Sequence, residues 1–205
     1  MNLLHQIVKS FLSVVILNFF FIYLKYIKKK KIIFFYHSEN RIKDISIDYI
    51  NYFFLKKRKH YETFFGFNGK NIKIGRYFFI KEQFLRLLFN VDYFVTNYLN
   101  SVYPIKSKKI YIHHDIYDTP LVAKKFEKQV YLSLSKINYI FISSNLVEKI
   151  FIEGFEKFKI KKIPKLIVSG YLKLSYLEDL NLIKKFKPSK LRRVVIAPTE
   201  YKTNR

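Results

Sequence analysis

Short, continuous apolar runs recur along this chain, each followed by a polar loop and then by residues at helical spacing. Residues 32–36 (IIFFY), 91–95 (VDYFV), 110–112 (IYI), 137–142 (INYIFI), 166–168 (LIV) and 193–196 (RVVI) have the length and the β-branched or aromatic content of strands. Runs that are apolar at nearly every position suit strands covered on both faces, the situation in parallel sheets. Residues 61–67 add an aromatic strand closed by Asn68 and Gly69. Between these runs, residues 48–55, 81–89, 120–134, 146–155 and 174–186 read as helices, while the segment before Lys81 has no clear pattern. Strands alternating with amphipathic helices predict an α/β fold: a Rossmann-like parallel sheet flanked by helices, with right-handed crossovers.

The N-terminus adds an element of a different kind. Residues 10–24 (SFLSVVILNFFFIYL) carry no charge, and Lys28 to Lys31 follow. At about 1.5 Å per residue the run is roughly 22 Å long, short of the ~30 Å hydrocarbon core. Counting from Ile7 to Ile27, with Lys9 and Lys25 snorkelling, brings it to spanning length. A secretory signal has its charges before the apolar region. Here they follow it, which predicts a signal anchor or an in-plane helix with its C-terminal side in the cytoplasm; a buried or interface helix is the alternative. The chain therefore divides into an apolar helix with a basic flank (1–31) and an α/β domain (32–205), placed at the cytoplasmic face of a membrane.

Composition narrows the partners. Half of the 205 residues are hydrophobic and 19% are aromatic, enough for a substantial core. Without cysteine there are no disulfides, thiolate metal sites or cysteine nucleophiles. The net charge of +24 calls for an anionic partner. Lys is plentiful together with Ile, Phe, Tyr and Asn, whereas Ala occurs only at 123 and 197, so the excess is partly compositional bias. Arg, the better residue for bidentate phosphate and base contacts, is scarce, and the aromatic residues follow no RNA-module pattern. An anionic membrane surface or a nucleotide fits better than a nucleic acid.

The densest cluster of titratable groups is residues 109–122, KIYIHHDIYDTPLV. A strand delivers His113, His114 and Asp115 onto a loop, and Thr119-Pro120 restarts a helix as N-cap and N1. Histidine serves as a base near neutral pH, and an adjacent Asp holds its tautomer. His114 is the candidate base, supported by Asp115 or Asp118. Successive strand residues face opposite sides, so at most one of His113 and His114 faces the cleft; the alternative is that both are structural, one packed under the sheet and the other solvated. Three sequential ligands suit zinc poorly, so no metal and no cofactor is expected. His37 ends an earlier strand and either lines the same cleft or is a satisfied loop histidine. Gly170 allows a tight turn, with a phosphate-facing role as the alternative.

Three marks occur in order: xxHDxxDTPL after a strand, SGYxKxxxL further on, then a strand ending in APT. Together they resemble the CDP-glycerol glycerophosphotransferase family, the teichoic-acid and capsule polymerases and primases, whose marks are WHGTPLK-like, GYPRxD-like and YAPTWR-like loops. The counterparts here are residues 114–121, 170–174 and 197–201, and VDYFVTNY (91–98) resembles the family's strand before the first loop. A gapless match puts Tyr117 where the family has its histidine; a local insertion gives that role to His114. Leu172-Lys173 stands in place of Pro-Arg.

The resemblance implies a two-domain GT-B-like architecture with the site in the interdomain cleft. It implies transfer of an alcohol phosphate from a CDP-linked donor to a membrane-bound glycan hydroxyl. Under it, His113, Tyr117, Thr119, His37, Gly170, Tyr171 and Thr199 become substrate-binding candidates beside His114, Asp115 and Asp118. A related GT-B glycosyltransferase using a nucleotide sugar is the nearest alternative, and a truncated, non-catalytic domain that binds acceptor or membrane is the other. A strand leading into APTEYKTNR calls for a further element, so the sequence reads as the N-terminal part of such an enzyme.

Overall fold

The computed structural model describes residues 3–37, 60–67, 77–113 and 127–170. They form one seven-stranded sheet: β1 (Lys31–His37), β2 (Tyr61–Phe67), β3 (Tyr77–Phe79), β4 (Tyr93–Thr96), β5 (Lys108–Ile112), β6 (Tyr139–Ile142) and β7 (Lys165–Val168). The spatial order is β3-β2-β1-β4-β5-β6-β7, and every pairing is parallel. The chain runs outward from β1 to β3, returns to place β4 on the other side of β1, then builds outward again. This is the doubly wound Rossmann order with one added parallel strand. The expected fold class is the observed one.

β1 is an interior strand, and beyond the exposed Lys31 at its start none of its residues reaches water. Six of its seven residues are buried, and it is paired along its length with β2 and over four residues with β4. Alternate residues serve two cores, as the two-residue period of a strand requires. Ile32, Phe34 and Tyr36 join the larger core with Phe94, Tyr111, Ile140 and Ile142. Ile33 and Phe35 join Phe65, Val95 and Ile112 on the opposite face. Phe34 and Phe94 are in register and stack 6.2 Å apart at 13°, and Phe35 and Phe65 stack at 5.1 Å and 17°.

Helices α1 (Leu3–Ile22), α2 (Glu127–Leu134) and α3 (Asn145–Lys157) contribute to the larger core. Ser144 caps α3 as its sequence predicts, its Oγ accepting the Val147 N–H at 3.4 Å. α2 and α3 meet through Tyr131, whose ring lies edge-on to Phe155 at 5.0 Å. α1 continues into a π-helical turn (Tyr23–Ile27) and buries Val14, Leu17, Phe21 and Leu24. Phe21 packs edge-to-face on Phe64 at 5.0 Å. The N-terminal apolar helix thus shares the core of the sheet it precedes.

Local readings differ in two places. Residues 81–89, expected as an α-helix, hold a 3-10 helix (Glu82–Leu87) bounded by extended Lys81 and Leu88. The Lys81 and Phe89 N–H groups are drawn instead to Ser10 and Asn18 of α1. β3 was not legible because three residues carry too little periodicity. The expected helices at 48–55 and 174–186, the strand at 193–196 and the start of the helix at 120–134 lie outside the described residues.

Candidate functional site

In an open parallel sheet, ligands bind beyond the carboxyl ends of the strands where the winding reverses. The reversal here falls between β1 and β4. Tyr36 and Thr96 are register partners, so His37 and Asn97, the next residues in their strands, leave the sheet side by side. Both are fully buried, as is Thr96. The strand periodicity turns His37 to the face of Phe35, and its imidazole stacks on Phe65 at 6.4 Å and 23°.

The backbone beyond β4 is held by its own side chains. Thr96 Oγ1 accepts the Tyr98 N–H and donates to the Tyr98 carbonyl oxygen, both at 3.1 Å, and accepts from Asn100 Nδ2 at 3.3 Å. The Asn100 N–H donates to Tyr103 Oη at 3.0 Å. Burial pushes the Tyr103 hydroxyl up to about 12, against the lowering effect of the Asn100 N–H, and the Glu82 carboxylate adds to the rise. Glu82 also accepts from the Ser101 hydroxyl at 2.8 Å, so it fixes the same loop. A rigid strand exit of this kind positions side chains for binding without an entropic cost at the moment of binding.

His113 follows β5, one strand further on. Its N–H donates to the Phe141 carbonyl oxygen at 2.9 Å, and its ring lies edge-on to Phe151 of α3 at 5.4 Å and 89°. It is buried on the larger-core face, opposite the face that holds His37. His37 and His113 therefore sit at the exits of β1 and β5, on either side of β4, without forming one constellation. Of the expected pair, His113 is the residue packed between sheet and helix.

Ser143 and Ser169 follow directly after β6 and β7. Ser169 donates both its N–H (2.9 Å) and its hydroxyl (3.3 Å) to the Ile142 carbonyl oxygen. Gly170 follows with φ +75°, a left-handed conformation that glycine adopts without strain, and a Cβ there would meet nothing. The backbone conformation, not a close neighbour, favours glycine there. His114, Asp115, Tyr117, Asp118, Thr119, Tyr171 and Thr199 lie outside the described residues. Among the described residues no group of three His, Asp or Glu side chains could hold a metal ion.

Thr96 and Asn97 were not singled out by the sequence reading. The available signal was the abrupt change from the apolar VDYFV to Thr-Asn, which marks a strand exit. What makes that exit special is its place beside β1, and no local pattern encodes that. Comparison of the chain with protein-family models, with curated proteins and with solved structures gives no match.

Proposed function

We propose that the chain is the membrane-associated α/β part of a transferase of the CDP-glycerol glycerophosphotransferase type, acting at the cytoplasmic face in cell-surface polysaccharide or teichoic-acid-like synthesis. The observation that carries the reading is the side-by-side exit of His37 and Asn97 at the winding reversal, with His113 leaving the strand beyond β4. That crevice is where a doubly wound sheet takes a nucleotide. The ordered trio of motifs supports the donor class.

The chemistry is an in-line substitution at phosphorus. An acceptor hydroxyl oxygen attacks the phosphorus that carries the alcohol, a new P–O bond forms, the bond to CMP breaks, and CMP leaves. His114 accepts the hydroxyl proton, with Asp115 or Asp118 orienting its imidazole. Positive charge near the departing phosphate stabilises the charge that develops there. His37 and Asn97, buried at the paired strand exits, fix the backbone against which the donor lies.

The test is calorimetric titration of CDP-glycerol and CDP into the chain. Saturable binding, weakened at least tenfold in His37→Ala and in His114→Ala, supports the reading. Absence of saturable binding to either ligand at millimolar concentration contradicts it.

A further inference from the structure

Helix α1 is inverted relative to a helix on a water-exposed surface, where polar residues face outward. From Ser10 to Leu24 every exposed residue is apolar: Phe11, Leu12, Ile16, Phe19, Phe20, Ile22 and Tyr23. Phe19 is 71% exposed and Ile16 59%. Two of its polar residues, Ser10 and Asn18, turn toward the protein. Ser10 is fully buried and its Oγ accepts the Lys81 N–H at 2.7 Å. Asn18 donates to the Leu87 carbonyl oxygen at 2.7 Å and accepts the Phe89 N–H at 2.8 Å. Large exposed apolar surfaces of this kind mark an interaction surface.

We propose that this outer face of α1 is a bilayer-docking surface, with the helix lying in the plane of an anionic membrane. The proposal deepens the membrane association in the reading above. Charge names the occupant. Lys9 precedes the uncharged stretch, and Lys25 and Lys28 to Lys31 follow it. Lys25 is paired with Asp92 at 2.9 Å, and Lys30 with Glu62, whereas Lys28, Lys29 and Lys31 are exposed. An apolar face bordered by lysines matches acyl chains bordered by anionic headgroups.

Attachment to the sheet decides between lying and spanning. α1 is fixed at Ser10, Val14, Leu17, Asn18, Phe21 and Leu24, and Lys25 continues the seam. Those fifteen steps cover about 22 Å of helix. A perpendicular helix of this length would carry Lys81, Glu82 and Arg86, in the segment it packs against, into hydrocarbon, at several kcal/mol per charge. An in-plane helix immerses only its outer face, to a depth of about 5–10 Å.

The chain has no cysteine, so single-cysteine variants carry one spin label each. Labels at Leu12, Ile16 and Phe19, with Leu132 of α2 as control, are read by power saturation on mixed phosphatidylcholine and phosphatidylglycerol vesicles without nucleotide. A shallow depth shared by the three helix labels, with Leu132 in water, is the expected result. Depth that increases along the helix to the bilayer centre overturns the in-plane geometry. Three water-exposed labels, or labels shielded by self-association without lipid, overturn docking itself. Ile16→Glu with Phe19→Glu lowers vesicle co-sedimentation at least tenfold while leaving the thermal melt in buffer unchanged. Lys28→Glu with Lys29→Glu weakens binding severalfold on the anionic vesicles alone. Because no nucleotide is present, failure here is separate from failure of the transferase reading.

Discussion

Asn18 Nδ2 donates to the Leu87 carbonyl oxygen at 2.7 Å, joining residues 69 positions apart on the side of α1 that faces the protein. The same amide accepts the Phe89 N–H, so both of its ends are used. Asn18→Leu removes both bonds and leaves the half-buried Leu87 carbonyl without its partner. The expected loss is about 1–3 kcal/mol in urea unfolding. Phe19→Ala, one position away on the outer face, changes stability by no more than about 0.5 kcal/mol, because its ring is already exposed.

Asp92 has more than one task. Oδ1 accepts from Lys25 Nζ at 2.9 Å, and Oδ2 accepts the Ile32 N–H at 2.9 Å. The ion pair is partly exposed, so Lys25→Met costs no more than about 1 kcal/mol. Asp92→Ala also strips the N–H at the start of β1 of its acceptor and costs about 1–3 kcal/mol. Equal losses for the two variants contradict this division.

A Cβ at Gly154 would come within 2.0 Å of Tyr131 Cζ and Oη. The Tyr131 ring is itself held by Phe151, Phe155 and Phe158 and cannot swing clear without disturbing them. Gly154→Ala therefore destabilises by about 1–3 kcal/mol, although alanine is the better helix former. In a Tyr131→Leu background the same substitution costs less, and a double-mutant cycle by thermal unfolding measures the difference.

These residues mark how far the sequence could be read. β1, β2 and α3 were legible because each carries its own signal: IIFFY, an aromatic run, and a serine cap before an amphipathic stretch. Strand order was not local information. IIFFY predicts a buried strand but not that its end lies beside Thr96 and Asn97, so the winding reversal became visible only with the pairing. For α1 the uncharged run was plain and its orientation was not. The inner face was encoded by Ser10, Val14, Leu17, Phe21 and Leu24 at heptad-like spacing, with Asn18 alongside. That stripe hides in a run where apolar residues occur at nearly every position.

The Tyr103 hydroxyl ionises near pH 10 in an unfolded chain and at about 12 in the fold, chiefly through burial. Its contribution is fully present below the unfolded value and is lost as pH rises through the folded value. Unfolding free energy therefore falls by roughly 2–3 kcal/mol across that window on account of this group. In Tyr103→Phe the alkaline decline is shallower by that amount, measured by urea titration at successive pH values. An identical decline in both proteins contradicts the assignment.

The central claim is that a cytidine nucleotide binds at the carboxyl ends of the strands. A cleft of about 270 Å³ at the opposite ends of the strands, lined by Lys31, Lys106, Lys108 and the paired Lys25 and Asp92, offers a rival anion site. Hydrogen–deuterium exchange with and without CDP separates the two. The account predicts slowed exchange in peptides ending β1, β4 and β5, around His37, Asn97 and His113, and no change at residues 90–93 and 106–108. Protection confined to those lysine-lined residues, or none at saturating nucleotide, contradicts it.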